Sequence, residues 1–256
     1  MNLQMDEKVA EQYSSKAQKI REITEDWFKR NMFCPYCGNN YVSKFENNRP
    51  VADYFCPTCR EEYELKSKGA SIGKKVNDGA YSTMIERIQS INNPNFFFMQ
   101  YNRNDLMVKN IVMVPKYFFS PDIIEKRKPL ANKAQRAGWV GCNILLNRIP
   151  NEGRIFIVQN EKEVPVEQII DKVHKTEFLR GSKIDARGWT LDILKCVNNI
   201  EDTNFTLEQM YRFEDVLSIK HPENHHIKEK IRQQLQILRD NGIIEFLGRG
   251  YYRKIM

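Results

Sequence analysis

Four cysteines fall into two pairs, Cys34-Pro-Tyr-Cys37 and Cys56-Pro-Thr-Cys59, with 18 residues between the pairs. Two thiolates on one tight turn converge on a single ion, and two such turns complete a tetrahedral set. C-x2-C pairs at this separation therefore predict a Zn²⁺ site with Cys34, Cys37, Cys56 and Cys59 as ligands. A closed four-sulfur site leaves no open coordination position, so this zinc is structural. Close by stand Pro50-Val-Ala-Asp53, just before the second pair, and Glu64-Leu-Lys66, which begins five residues after it. If 62 to 66 is a strand, Glu64 and Lys66 point to one face, because the side-chain period is two. Asp53 on a neighbouring strand could then share a Mg²⁺ with Glu64, with Lys66 beside an attacking water. A few hard oxygen ligands, with positions left for water and a phosphate oxygen, are what Mg²⁺ needs in phosphoryl chemistry. The pattern reads PD…ExK with two residues inserted between Pro and Asp. By itself such a tripeptide also fits a solvated strand face.

Other candidates carry less. Gly69-Ala-Ser-Ile-Gly73-Lys74-Lys75 resembles a phosphate loop but is one residue short and lacks the Ser/Thr that would hold Mg²⁺. His174, His221, His225 and His226 have no acid or nucleophile at useful spacing. Cys142 and Cys196 stand alone and read as small buried apolar residues.

The elements that must position these groups follow from periodicity. Residues 6 to 31 predict a helix, with Val9, Tyr13, Ile20, Ile23 and Trp27 at helical spacing. ENNRP at 46 to 50 is a turn signal, and Glu62-Tyr-Glu-Leu-Lys66 alternates as a half-buried strand does. Residues 78 to 91 predict a helix opened by an Asp cap, followed by strands at 96 to 101, 108 to 114 and 154 to 159. This order suggests a mixed α/β domain over 1–181. The polar segment from about 160 to 185 reads as the linker region. Beyond it, 187 to 200, 205 to 217 (capped by Thr206 or Asn204) and 225 to 240 predict helices. Ile227, Ile231, Leu235 and Leu238 share one face of the last. A Gly242 stop, a strand at 243 to 246, a Gly248-Arg-Gly250 turn and a strand at 251 to 255 follow. Three helices and a hairpin are the order of a winged helix, over 182–256.

The 256 residues include 40 Lys/Arg against 33 Asp/Glu, a net charge of +7, which favours polyanionic partners. Residues 221 to 256 hold seven basic and four acidic side chains, on the helix and hairpin that a winged helix presents to DNA. Hydrophobic residues make up 41%, enough for a packed core and too many for general disorder. No apolar run reaches the 18 or so residues of a membrane span, and the first residues lack a signal-peptide core. A soluble protein of the prokaryotic cytoplasm is expected.

A family resemblance adds to this reading. Phe45-Glu-Asn-Asn-Arg-Pro-Val-Ala-Asp53, Glu64-Leu-Lys-Ser67, Asn93-Pro-Asn-Phe-Phe-Phe98, Arg136-Ala-Gly-Trp-Val-Gly-Cys-Asn143 and Gly153-Arg-Ile-Phe156 closely resemble the DpnI family of methyl-directed type II (type IIM) restriction endonucleases. The run from His226 to Asp240 and Gly248-Arg-Gly250 resemble it more closely still. The resemblance is looser in the first twenty residues, at 120 to 128 and at 160 to 185.

What the resemblance implies is a mixed α/β PD-(D/E)xK nuclease domain with an embedded four-Cys zinc site, followed by a winged helix. It implies Mg²⁺-dependent cleavage of double-stranded DNA at GATC when adenine is N6-methylated; separately, a monomer is expected. Asp53, Glu64 and Leu65 become the Mg²⁺ ligands and Lys66 the residue that orients or activates water. Trp139 becomes a methyl-adenine sensor, with a plain core role as its alternative. Independently of the resemblance, a winged helix over 182–256 would make His225, Lys228, Arg232, Gln233 and Arg249 candidate DNA contacts, by their places on the recognition helix and at the wing tip. Two other functions fit the residues: a sequence-specific nuclease indifferent to methylation, and a non-catalytic zinc-ribbon and winged-helix regulator. The second leaves Asp53, Glu64 and Lys66 without a role.

Overall fold

Phe96, Phe97, Phe98 and Met99 follow one another without a polar residue, and all four side chains are buried. A strand apolar on both faces must be covered on both, which makes it the centre of a layered domain. Each buried phenylalanine contributes about 1.5–3 kcal/mol relative to exposure. The computed structural model describes residues 1–46, 52–90 and 93–255. Pro50 and Val51, and with them most of the ENNRP turn, lie outside the described residues. The chain divides into two compact units, Met1–Asn147 with Gly153–His174, and Arg148–Glu152 with the residues from Lys175 onward.

After a 3-10 turn at Glu7–Ala10, the first part of the chain runs α1 (Lys16–Asn31), β1 (Ser43–Lys44), β2 (Tyr54–Phe55), β3 (Glu62–Lys68), β4 (Val76–Ala80), α2 (Tyr81–Gln89), β5 (Asn95–Tyr101), β6 (Val108–Val114), β7 (Ile124–Lys126), β8 (Gly141–Ile144), β9 (Ile155–Gln159), β10 (Lys162–Glu163) and α3 (Val166–Thr176). Among the described residues these strands form a seven-stranded sheet, ordered β1-β2-β3-β5-β6-β9-β10, and a three-stranded sheet, β4-β8-β7. Strands β3 and β5 are parallel and joined by a crossover through β4 and α2; the other pairs are antiparallel. On one face, Phe28 of α1 meets Tyr54 and Phe97 with ring centroids 4.6 and 4.9 Å apart. The other face carries Phe96 and Phe98, and the β3–β5 register sets Glu64 beside Phe96 and Lys66 beside Phe98.

Three expectations for this part change. The helix expected over 6 to 31 is broken, leaving Tyr13 between the 3-10 turn and α1; Ser15 precedes the helix in extended backbone suited to a helix start. The helix expected to open at Asp78 opens at Tyr81, because Val76–Ala80 pairs with β8 instead. The segment read as a linker contains β10 and α3, where Ile169 and Val173 are fully buried. Its polar composition hid an apolar stripe at 166, 169, 170 and 173.

The rest of the chain runs α4 (Ile184–Asn199), β11 (Asn204–Thr206), α5 (Leu207–Tyr211), α6 (Glu214–Lys220), α7 (Ile227–Asp240), β12 (Ile244–Gly248) and β13 (Tyr251–Lys254). The single helix expected over 205 to 217 is a strand and two short helices. Thr206 caps α5 in a capping box with Gln209. Ile227, Ile231, Leu235 and Leu238 of α7 are buried, as their shared face requires. Gln234 is buried with them and accepts a hydrogen bond from Thr190 Oγ1 at 2.7 Å. Gly248, Arg249 and Gly250 all have positive φ (98°, 49° and 79°), a turn that the flanking glycines permit. Strands β11, β13 and β12 form a small antiparallel sheet behind the helices, completing a helix-turn-helix domain with a wing. No described helix is long and apolar enough to cross a membrane.

Candidate active site and nucleic-acid interface

Asp53 stands one residue before β2 and is laced to β3. Its backbone N–H donates to the Tyr63 carbonyl at 3.0 Å, and its Oδ2 accepts from the Leu65 N–H at 3.0 Å. The aspartate is thereby clipped to the middle residue of Glu64-Leu-Lys66, whose remaining backbone donor for a cation is the Leu65 carbonyl oxygen. Glu64 and Lys66 share a face, with Lys66 Nζ 2.5 Å from Glu64 Oε1. Two further groups close the cluster. Arg87 of α2 donates from Nη1 to Glu64 Oε2 at 3.3 Å, and Asp78 of β4 pairs with Lys66 Nζ. These side chains are well enclosed: Glu64, Lys66 and Asp78 retain 15%, 22% and 6% exposure.

Enclosure sets their protonation. Burial pushes the Glu64 carboxyl above the usual carboxylate range; Lys66 opposes this, while Asp78 and Asp53 reinforce it. At Lys66, burial would depress the ammonium, but the Glu64 and Asp78 charges outweigh it and the net shift is upward. Lys66 is thus flanked by two carboxylates, Glu64 and Asp78, with Arg87 on the other oxygen of Glu64, in a partly dry recess. Asp78 and Arg87 were not legible in the sequence, since each arrives from an element whose packing on β3 is set by tertiary structure.

The two cysteine turns converge. The Sγ atoms of Cys34, Cys37, Cys56 and Cys59 all lie within 4.8 Å of one another, with Cys34–Cys59 and Cys37–Cys56 both at 3.5 Å. A zinc tetrahedron with Zn–S near 2.3 Å has edges of about 3.8 Å, so the donor set fits that ion in both chemistry and size. The turns are alike in detail. The N–H four residues after the first cysteine returns to its carbonyl (Gly38 to Cys34, 2.9 Å; Arg60 to Cys56, 3.0 Å), and both residues adopt positive φ, 73° and 66°. Glycine suits the first turn; Arg60 bears the strain in the second. Burial pushes the Cys34 thiol up to about 11, whereas at Cys56 the N–H groups of Cys59 and Thr58 outweigh burial and lower it. Among the described residues no other group of three or more such ligands closes to this distance. His174 Nε2 lies 2.9 Å from the Tyr36 carbonyl, inside the first turn.

On α7, Lys228, Arg232 and Gln233 are exposed while the apolar face is buried. Lys228 Nζ lies 3.3 Å from Glu214 and 5.5 Å from the centre of the Tyr211 ring; Arg232 donates to Tyr211 Oη at 2.7 Å and to Glu229 at 2.9 Å. Gln233 Oε1 accepts from Lys230 at 2.8 Å. His225 is exposed just before the helix, and Arg249 sits at the tip of the wing turn. His221 is placed differently from the other histidines: it stacks on Trp189, with centroids 3.7 Å apart, and lies 2.9 Å from buried Asp192.

Trp139 ends a loop closed by two bonds, Leu130 N–H to the Trp139 carbonyl and Gly138 N–H to the Leu130 carbonyl, at 2.9 and 3.0 Å. Its half-buried ring lies so close over Gly141 that a Cβ there would come within 2.7 Å of Cη2. The Arg136 guanidinium carbon stands 4.7 Å from the ring centre. The indole is thus half-buried and held between Gly141 and Arg136.

Two family models match the sequence. One, DpnI, described as the Dam-replacing family, spans residues 1–182; the other, DpnI_C, described as the Dam-replacing HTH domain, spans residues 185–254.

Proposed function

The chain belongs to the DpnI, Dam-replacing family, and from that premise we propose that it is a methyl-directed type II restriction endonuclease. It hydrolyses one phosphodiester in each strand of GATC when adenine is N6-methylated, acting as a monomer. In this reading residues 1–181 cut and 182–256 add a second DNA-reading surface. The observation that carries it is the Asp53–Leu65 bond beside the Glu64–Lys66 pair: hard oxygens and an ammonium held together on β3.

Asp53, Glu64 and the Leu65 carbonyl would hold a Mg²⁺, which supplies Lewis-acid stabilisation of phosphate charge and a more acidic water. Lys66 orients the water that attacks phosphorus and offsets negative charge as the P–O bond to the leaving oxygen breaks. Arg87 keeps Glu64 in place. The four-cysteine cluster holds structural Zn²⁺ and fixes the segment carrying Asp53, three residues before Cys56. Trp139 covers the N6-methyl group, which projects into the major groove. His225, Lys228, Arg232, Gln233 and Arg249 contact DNA from the winged helix, α7 entering the major groove by its N-terminal half. One methyl in an apolar pocket is worth roughly 1–3 kcal/mol, about 10–200-fold, so reading it in both domains multiplies a modest ratio.

Digestion of one plasmid, prepared with and without adenine methylation, tests this. With Mg²⁺, fragments at GATC are expected from the methylated preparation only. Equal cutting of both preparations would remove the methyl requirement, and no cutting of either would remove the nuclease.

A further inference from the structure

Lys66 has a long, flexible stem and a point charge, so its nitrogen stays beside a reacting phosphate only if something else holds it. Glu64 is a poor holder. Its carboxylate already takes Arg87, and in the reading above it is committed to a cation. The other group on Lys66 Nζ is Asp78. Its carboxylate is nearly fully enclosed, and among the described residues Lys66 is the cation paired with it. A buried carboxylate without a partner is strongly disfavoured, so each charge keeps the other in place. The neighbouring Cys142 offers no competing anion: burial, then the Asp78 charge, pushes its thiol up to about 11.

Backbone structure explains how Asp78 gets there. Strand β4 belongs to the three-stranded sheet, not to the strand layer that carries Glu64 and Lys66, and Asp78 stands opposite Cys142 of β8. A register shift follows between Asp78 and Ala80, leaving Gly79 unpaired. Such a bulge re-aims a side chain. Beyond it the Tyr81 N–H donates to the Val140 carbonyl at 3.0 Å, so the strand delivering Asp78 is tied to the residue that follows Trp139.

We propose that Asp78 is a positioning residue of the cleavage centre, a carboxylate from the second sheet that holds the Lys66 ammonium where the attacking water must stand. This rests on the nuclease reading, with Lys66 at the reacting phosphate. It adds a fourth acid-or-base member to the Asp53, Glu64, Lys66 set.

The experiment compares Asp78→Asn, Asp78→Glu and Lys66→Ala in the full-length, zinc-loaded protein. Three quantities are read: single-turnover cleavage of methylated plasmid at saturating Mg²⁺, DNA affinity with Ca²⁺ replacing Mg²⁺, and Tm. Removing a partner that orients a reacting group typically costs about 10–100-fold, so Asp78→Asn should lose about that much rate while DNA affinity stays within about twofold. Asp78→Glu keeps the charge and should recover part of the loss, which a purely steric role would not predict. Asp78→Asn cutting within about threefold of the parent, while Lys66→Ala is inactive, would overturn the role of Asp78 and leave the nuclease reading standing. Loss of rate matched by equal loss of Tm and affinity would overturn it too, as a packing effect. Normal cutting by Lys66→Ala would remove both.

Discussion

The two regions that would meet DNA use charge in opposite ways. Around Lys66 the charges are enclosed and few: Glu64, Lys66 and Asp78 are 15%, 22% and 6% exposed and drawn from β3 and β4. On α7 they are open. Lys228 and Arg232 are each 49% exposed, and their partners Glu214 and Glu229 are 40% and 60% exposed. Enclosed pairs interact through protein and cannot be rearranged without a large penalty, which suits groups that must be placed before a bond breaks. Open pairs are worth little, so a phosphate can displace a glutamate at small cost. One region holds geometry; the other holds cations in reserve.

The largest expected effect comes from removing a member of the enclosed set. Lys66→Ala, Asp53→Ala and Glu64→Ala should each lower cleavage by about 10²–10⁴-fold or more. Binding of the methylated duplex, measured in Ca²⁺, should change little, because it depends on phosphate and base contacts elsewhere. A variant that binds normally and also cuts at near-parental rate would remove that residue from the centre and blur the contrast with α7.

Next is the metal beside that set. Zinc binding at a structural site is itself folding free energy, about 10–16 kcal/mol in zinc-finger peptides. Cys56→Ser, or chelation, should lower Tm and cleavage together, since Cys56 and Asp53 are three residues apart and the second turn joins β2 to β3. Elemental analysis showing well under one zinc per chain with full activity would contradict the structural role.

What could be read in advance divides along the same line. The cysteine turns were legible because four ligands lie in two short local motifs, and β3 because alternation is a local pattern. The apolar face of α7 was legible for the same reason. Asp78 precedes an amphipathic run, the usual place of a helix cap, but pairing of β4 with β8 overrides that preference. Arg87 on α2 carried no signal of its partner Glu64. In 160 to 185, charged residues masked an i, i+3, i+4, i+7 stripe that a stricter count of periodicity finds. Local chemistry was legible; the groups brought together by tertiary packing were not.

A smaller effect tests whether α7 is held as firmly as it looks. Leu235 is fully buried against the helix-turn-helix core, and Leu235→Ala should cost about 2–5 kcal/mol of stability. DNA affinity should fall with the folded fraction and recover on cooling. Unchanged thermal unfolding would mean that α7 is not packed through this face.

The smallest effect, and the sharpest on the comparison, concerns the open cations. Arg232 is held by Tyr211 and Glu229 at the surface, so Arg232→Ala removes no buried partner and should leave Tm within measurement error. Its consequence should appear only with DNA. If Arg249 meets phosphate, Arg249→Ala should weaken methylated and unmethylated duplexes alike and reduce the slope of log affinity against log salt by about one. If Arg232 or Gln233 reaches base edges, its alanine variant should instead erode the preference for the methylated duplex, by about 1–3 kcal/mol at most. The two outcomes separate at one temperature with a salt series on each duplex. An Arg232→Ala protein with parental affinity, slope and preference would show that its bonds to Tyr211 and Glu229 persist on DNA, and that α7 keeps its exposed pairs as closed as those around Lys66.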